Sequence, residues 1–162
     1  MIKIKKKVLH FIESAGIYGA ENVILNICRE MMSEGDYDPI IGSIVRSRNE
    51  SNDFLERGSQ YGIKGIKIII RNEYAPIDII AASIRLKKEK IDLIHSHGYK
   101  PSVISFIARF FTSIEIFSTC HLWYWGSNPP IKFRIMTALE MFFYRNFSCK
   151  IACVSNEKKL HD

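Results

Sequence analysis

The chain has 162 residues, of which 47% are hydrophobic and 25% charged, a composition typical of one soluble globular domain. This composition excludes a disordered or fibrous protein, and charged or polar residues interrupt every apolar run before it reaches the length of a membrane-spanning helix. The net charge of +6 suits anionic partners. The basic residues lack the interleaved aromatics and module signatures of nucleic-acid readers, so we expect no nucleic-acid binding.

The amino-terminal segment and the cysteines indicate a cytoplasmic protein. The basic start MIKIKKK is followed by an apolar stretch, residues 8–12, that contains His10 and stops at Glu13, which is too short for an export signal. The four cysteines have neither CxxC spacing nor the density of a disulfide-stapled domain. We therefore expect reduced thiols without a chemical role at Cys28, Cys120, Cys149 and Cys153.

The pattern along the chain predicts alternating strands and helices. A strand at Lys7–Ile12 is followed by the turn Ser14–Gly19 and by helical spacing that ends at Gly35. The later predictions are strands at Pro39–Val45, Ile63–Ile70, Ile91–His95, Glu115–Thr119 and Lys150–Val154, and helices at Asn49–Tyr61, Pro76–Lys90, Pro101–Phe111 and Ile131–Phe147. Strands apolar on both faces predict a Rossmann-like three-layer α/β domain, with a mostly parallel sheet and helices on both faces.

In such a sheet, ligands bind beyond the carboxyl ends of the strands. Four segments that follow strands should therefore share one rim: Ser14–Gly19, Ser96–Lys100, Cys120–Pro130 and Ser155. The first of them places Gly16 and Gly19 ahead of a helix whose free N–H groups favour a phosphate. The fingerprint GxGxxG is absent, so glycines that serve only a tight turn are an equal alternative.

The run Asp92–Tyr99 contains two histidines, His95 and His97, at the end of a strand. We take residues two apart in a strand to face opposite sides of the sheet, so we expect no shared metal ion and assign His95 to the core. His97 precedes Gly98, which allows close approach, and we expect its imidazole to bond a sugar hydroxyl.

A further histidine, His121, follows the strand Glu115–Thr119 and stands beside aromatic residues that include Trp123. Aromatic faces contact the C–H side of a pyranose, and imidazole bonds its hydroxyls, so this cluster favours sugar recognition. Packing beneath a mobile loop is the alternative.

Four segments together carry a family resemblance: VLHFIESAGIYGAENVILNI, DLIHSHGYKPSVISFIAR, STCH and KIACVSN. In order and spacing, from Val8 to Asn156, they resemble the landmarks of the N-terminal, acceptor-side domain of GT-B retaining glycosyltransferases of family 4. The resemblance implies that the loop from Gly16 to Gly19 lies near the donor phosphates. It also implies that His97 and His121 line the side of the acceptor and the reacting sugar. The substrate-binding candidates are Gly16, Tyr18, Gly19, His97, Gly98, Tyr99, His121, Trp123 and Ser155, with no catalytic residue assigned and no metal or cofactor expected.

Tyr18 departs from the family pattern, because it stands where the family has the first of two adjacent glycines. The second departure is length. Residues 1–162 form a single domain, and the resemblance implies a donor-binding domain that these residues do not contain. We expect a nucleotide sugar to bind only with a second domain or chain, and transfer to a glycan or lipid-linked acceptor to fail with this chain alone. Polysaccharide biosynthesis is the setting that the family implies.

A non-catalytic acceptor-binding or membrane-docking subunit is the alternative function. The predicted helix over 131–147 combines apolar residues such as Phe142 with Arg134 and Arg145, as a basic membrane-surface helix does, although packing on the sheet is the plainer explanation. Localisation would then be cytoplasmic, with peripheral contact at the inner face of the membrane. An oxidoreductase fragment is disfavoured, because Arg46 stands where an acidic residue would hold ribose.

Overall fold

The computed structural model describes residues 5–71, 76–120 and 150–153, with single residues at 130, 131, 134, 135, 138, 141, 142 and 145. Strands and helices alternate through these residues. The strands are β1 (Lys6–Ile12), β2 (Tyr37–Val45), β3 (Lys64–Ile69), β4 (Leu93–His97), β5 (Glu115–Cys120) and β6 (Lys150–Cys153). The helices are α1 (Gly19–Glu34), α2 (Asp53–Gln60), α3 (Pro76–Lys88) and α4 (Tyr99–Phe111).

The six strands form one sheet in the order β3-β2-β1-β4-β5-β6, and every neighbouring pair is parallel. This is the strand order of the doubly wound dinucleotide-binding fold. The order reverses between β1 and β4, so the loops after these two strands diverge and leave a crevice at the carboxyl ends. The predicted Rossmann-like α/β fold is confirmed.

Each face of the sheet has its own hydrophobic core. On one face, Leu9 and Phe11 of β1 pack with Ile104 of α4 and Leu86 of α3. On the other face, residues of β1 and β2 pack with α1 and α2, and the cluster consists of Ile12, Ile24, Leu25, Cys28, Ile41, Phe54, Leu55 and Ile63. The alternation of side chains along β1 therefore divides it between two helical layers. This division explains why the sequence is apolar on both faces of the strand.

The helix α2 is held against the sheet by a cap and by a close approach. Asn52 is its N-cap, and Asn52 Oδ1 accepts a hydrogen bond of 3.1 Å from the N–H of Leu55. At Gly58 the helix lies so near β2 that an added Cβ would overlap the side chain of Ile41. Glycine lets the helix approach the sheet without displacing the Ile41 side chain.

Most predicted elements differ from the structure by one or more residues at their ends, and the largest difference is the start of α2 at Asp53 instead of Asn49. The strand predicted at Ile91–His95 lies at Leu93–His97, because its pairing with β1 continues until Ile12 faces His97. The strand predicted from Pro39 begins at Tyr37. Of the helix predicted over 131–147, the residues described at 131, 134, 135, 138, 141, 142 and 145 are helical. Among the described residues, no helix is long and apolar enough to cross a membrane.

Candidate functional site

A cleft of about 870 Å³ opens at the carboxyl ends of β1, β2 and β3. It lies on the face of the sheet covered by α3 and α4, beside the point where the strand order reverses. Its apolar wall consists of Ile44, Val45, Ile70, Ile79, Val103 and Ile104, and its polar residues are Glu13, Ser14, Arg46, Glu50, Arg71 and Lys100. An apolar wall with a few charged groups at the edge is typical of a small-molecule site.

Two ion pairs fix charged side chains at the edge of this cleft. Lys100, in the first turn of α4, lies 2.6 Å from Glu13 Oε1, so it joins α4 to the loop after β1. Arg71, two residues after the end of β3, lies 2.6 Å from Oδ1 of the buried Asp78 of α3. Hydrogen bonding to Asp78 and its negative charge raise the pKa of Arg71 above its ordinary value. Both cations therefore have defined positions before any ligand binds.

The loop that carries Arg46 is held from β3. The Lys67 ammonium donates to the backbone carbonyls of Arg48 and Glu50, at 2.9 and 2.6 Å. The Glu50 carboxylate accepts a hydrogen bond of 2.6 Å from the backbone N–H of Arg46. Hydrogen bonds to the side chains of Lys67 and Glu50 therefore fix the backbone from which the exposed Arg46 side chain extends.

A buried polar network positions the loop after β1. Asn52 Nδ2 donates to the Ser14 carbonyl at 3.3 Å and to Ser43 Oγ at 3.2 Å, and Ser43 Oγ accepts from the Ser14 N–H at 3.3 Å. The cap of α2, the end of β2 and the first loop are therefore one hydrogen-bonded unit. This unit places Ser14 at the edge of the cleft.

The predicted phosphate loop is occupied by its own side chains. A Cβ added at Gly16 would lie 3.0 Å from the ring of Tyr18, so that ring covers Gly16. The Glu21 carboxylate, buried in the first turn of α1, accepts a hydrogen bond of 3.0 Å from the Tyr18 N–H. A phosphate would have to share this helix terminus with a carboxylate. Phosphate binding at Gly16, Tyr18 and Gly19 stays a prediction.

Three histidines gather on the face of the sheet opposite the cleft. Residues two apart in a strand share a face, so His95 and His97 lie side by side with ring centroids 4.0 Å apart. The expectation of opposite faces is wrong, because the side-chain period of a strand is two residues. His10 of β1 completes the group, with its Nδ1 3.3 Å from His97 Nε2.

The surroundings of the three rings differ. His10 is 2% exposed, and burial lowers its pKa to about 4, so it is neutral at pH 7. His95 is half-buried, and its Nε2 lies 2.7 Å from Thr119 Oγ1. His97 is 4% exposed and directs Nε2 towards His10. A contact between His97 and a sugar hydroxyl stays a prediction.

Gly98 turns the chain from β4 into α4. Its φ of 88° and ψ of 171° lie in a region that essentially only glycine occupies. Tyr99 begins α4 and is half-buried, and Lys100 follows it at the cleft. The turn therefore separates a histidine on one face of the sheet from a lysine on the other.

None of the predicted site residues that the structure describes lines the cleft. His121, Trp123 and Ser155 lie outside the described residues, and their predicted roles stay predictions. Arg71 and Lys100 were not among the residues predicted from the sequence to bind a ligand. Arg46 served only as a reason to disfavour a dinucleotide-binding site. A signal was present in the sequence, because Arg46 and Arg71 each directly follow a β-branched apolar strand.

Comparison with known proteins places the chain among glycosyltransferases. The family model described as Glycosyltransferase Family 4 matches residues 17–160. A search of curated protein sequences found no match.

Solved structures share the fold at low sequence identity. A glycosyltransferase from Rickettsia africae is 19% identical with a TM-score of 0.63, over 93% of this chain and 43% of its own. Anabaena Alr3699/HepE, in complex with UDP and glucose, is 16% identical with a TM-score of 0.61, over 83% of this chain and 35% of its own. MurG from Acinetobacter baumannii is 12% identical with a TM-score of 0.61, over 97% and 43%.

The chain therefore spans less than half the length of these three proteins. At such identities the structural likeness shows the fold alone, and the match of the family model over most of the chain carries the assignment. The sequence landmarks, the strand order and this match agree. The chain belongs to glycosyltransferase family 4 and forms a Rossmann-like domain of the GT-B type.

Proposed function

We propose that this chain is the acceptor-side half of a glycosyltransferase that moves a sugar from a nucleotide-sugar donor to a glycan or lipid-linked acceptor. The observation that carries this proposal is the cleft at the carboxyl ends of β1, β2 and β3, which has a volume of about 870 Å³. Such a volume is within the range of small-molecule sites. The cleft lies where a doubly wound sheet binds its ligands.

The chemistry of the cleft suits a saccharide. Its isoleucine and valine wall provides contact for the C–H face of a sugar ring, and its edge provides Glu13 and Lys100. A carboxylate accepts and an ammonium donates, so this pair can bond neighbouring hydroxyls with charge-assisted hydrogen bonds. Arg46 adds an exposed guanidinium that suits a carboxylate or phosphate on the acceptor.

The donor requires residues beyond this domain. HepE, whose structure contains UDP and glucose, is matched over only 35% of its length. We propose that a second domain or chain holds the nucleotide sugar, and that these 162 residues do not transfer sugar without it. His97, Gly98 and Tyr99 lie outside the cleft, and we propose that they meet the reacting sugar at the end of β4, where the second domain or chain presents it.

Binding measurements on the chain alone test the acceptor assignment. We expect signals on a glycan array and only weak or undetectable binding of UDP-glucose in calorimetry. Arg46→Ala and Lys100→Ala should each weaken the array signal about tenfold, the size of a lost charge-assisted hydrogen bond. Lys88→Ala, an exposed lysine outside the cleft, should leave it unchanged. Tight UDP-glucose binding, or glycan binding indifferent to both cleft variants, would contradict the proposal.

A second candidate function is contact with a membrane surface. The residues described between 131 and 145 are helical, and among them Ile131, Ile135 and Phe142 have exposures of 68%, 54% and 55%, beside the exposed Arg134 and Arg145. These positions follow helical spacing, so they form one apolar and basic stripe. Such a stripe matches an anionic bilayer, in which apolar groups enter the interface and arginines meet lipid phosphates.

Vesicle co-sedimentation tests this second function. We expect binding to vesicles that contain phosphatidylglycerol and little binding to pure phosphatidylcholine. Ile135→Ser and Phe142→Ser should reduce the binding, whereas Ile77→Ser, which removes an isoleucine of α3 that is 75% exposed, should not. Absence of binding, or equal loss in the Ile77 variant, would count against a specific membrane face.

A further inference from the structure

The three-histidine cluster lies at the point where the strand order of the sheet reverses. β1 and β4 are adjacent and parallel, and His10 is the register partner of His95. His97 follows two residues later on the same face, at the last position of β4. The ring centroid of His10 lies 4.9 Å from that of His95 and 5.6 Å from that of His97. Two strands thus bring three imidazoles together without any loop.

The nitrogen atoms of this cluster have separations near those of a metal site. One nitrogen of each histidine can be chosen so that all three lie within 4.8 Å of one another. Two imidazole ligands of a tetrahedral Zn²⁺ ion, with Zn–N bonds of about 2.0–2.1 Å, stand roughly 3.3–3.4 Å apart. The 3.3 Å between His10 Nδ1 and His97 Nε2 already matches this separation. The half-buried His95 supplies the third nitrogen, which lies within 4.8 Å of the other two.

Two further observations concern Nε2 of His95 and Nε2 of His10. Thr119 Oγ1 lies 2.7 Å from His95 Nε2 and fixes the orientation of that ring, as the outer hydrogen-bond partners of metal-bound histidines do. His10 Nε2 is buried and has no hydrogen-bond partner among the described residues. Within the described part of the chain, hydrogen bonding therefore leaves the polar groups of His10 incompletely satisfied.

We propose that His10, His95 and His97 form a binding site for a divalent transition-metal ion of the zinc class. Imidazole nitrogens suit Zn²⁺, Cu²⁺ and Ni²⁺, whereas Mg²⁺ and Ca²⁺ prefer oxygen ligands. Three protein nitrogens leave the fourth position of a tetrahedral ion to water or to a bound molecule. The ion would hold His97 in place at the end of β4, directly before the turn at Gly98.

Cobalt titration of the chelator-stripped chain tests this site, because tetrahedral Co²⁺ has a visible absorption that Zn²⁺ then abolishes by displacement. We expect one equivalent of Co²⁺ to bind. His10→Gln and His95→Gln should each abolish the absorption, and Thr119→Val should weaken binding about 10–100-fold. The matched controls are His121→Gln and His161→Gln, which alter the other two of the five histidines and should bind as the unmodified chain does.

Nitrogen NMR of the histidine-labelled, unmodified chain provides a measurement that no folding defect can obscure. Zn²⁺ should shift the ring nitrogens of His10, His95 and His97 and leave those of His121 and His161 in place. The proposal is overturned if the chain binds no Co²⁺ and shows no nitrogen shifts, or if both signals belong to the two control histidines. In that case the cluster is a hydrogen-bonded group of imidazoles only.

Discussion

His10 and His97 stand 87 residues apart in the chain, yet Nδ1 of His10 lies 3.3 Å from Nε2 of His97. Parallel pairing of β1 with β4 creates this contact. It joins two segments of the family resemblance, the first strand and the histidine run, in one buried group. His97 is predicted to contact the sugar. Its Nε2 points towards the buried His10, so the residue is also part of the core of the sheet.

The burial of His10 predicts a pH dependence of stability. Its pKa falls to about 4 in the folded chain from 6.5, so the unfolded chain takes up a proton first as the pH falls. The contribution of neutral His10 is complete above about pH 6.5 and is lost as the pH falls towards 4. The loss amounts to about 2 kcal/mol in the free energy of unfolding between pH 7.5 and 5.

Urea unfolding at these two pH values, with EDTA present, measures this loss. His10→Asn keeps a polar atom near the position of Nδ1 and removes the titrating group, so its stability should change less between the two pH values. An equal pH dependence in the variant would show that other groups cause the effect.

Gly98 should not tolerate a side chain. With φ at 88° and ψ at 171°, alanine at this position is strained, and Gly98→Ala should lower the free energy of unfolding by about 1–3 kcal/mol. Gly19→Ala is the matched control, because an added Cβ there has no neighbour within 4 Å and the residue is helical. That variant should be neutral or more stable by up to about 1 kcal/mol. Thermal or urea unfolding of the two variants checks the difference, and equal effects would contradict it.

Asn52 should contribute more to stability than an ordinary helix cap. Asn52→Ala removes the cap of α2, takes the Asn52 donor from the buried Ser14 carbonyl and removes one of the two donors of the buried Ser43 Oγ. We expect a loss of about 2–4 kcal/mol, compared with about 1 kcal/mol for a cap alone. Asn22→Ala, which removes an exposed hydrogen bond to Tyr18, should cost less than 1 kcal/mol. Similar losses in both variants would argue against the buried network.

Cys28 should be unreactive in the folded chain. The residue is fully buried, and burial raises the pKa of its thiol to about 12, so little thiolate forms at pH 8. Iodoacetamide labelling followed by peptide mass spectrometry should find Cys28 unmodified in buffer and modified in urea. Rapid labelling without denaturant would contradict the buried position.

The fold followed from the sequence because its strands are apolar on both faces. That pattern predicted a parallel sheet with helices on both faces. The four sequence segments between Val8 and Asn156 predicted the family. The cleft was less visible, since Glu13 and Lys100 meet only when β1 and β4 are neighbours. The histidine cluster was missed for two reasons: the two-residue period was misassigned to opposite faces, and the contact with His10 depends on strand register. Residue propensities along the sequence do not show which residues of β1 and β4 stand opposite each other in the sheet.

Sugar transfer shows whether the chain is an acceptor-side half that needs a separate donor-binding part. The chain would be incubated with radiolabelled UDP-hexoses and extracted glycans and lipid-linked acceptors, alone and with a donor-binding domain of the same family expressed separately. We expect product only in the mixture, with at least tenfold less product when Arg46→Ala and Lys100→Ala are combined and no change with Lys88→Ala. Product from the chain alone, or from the mixture regardless of the cleft variants, would show that the chain is not an acceptor-side half.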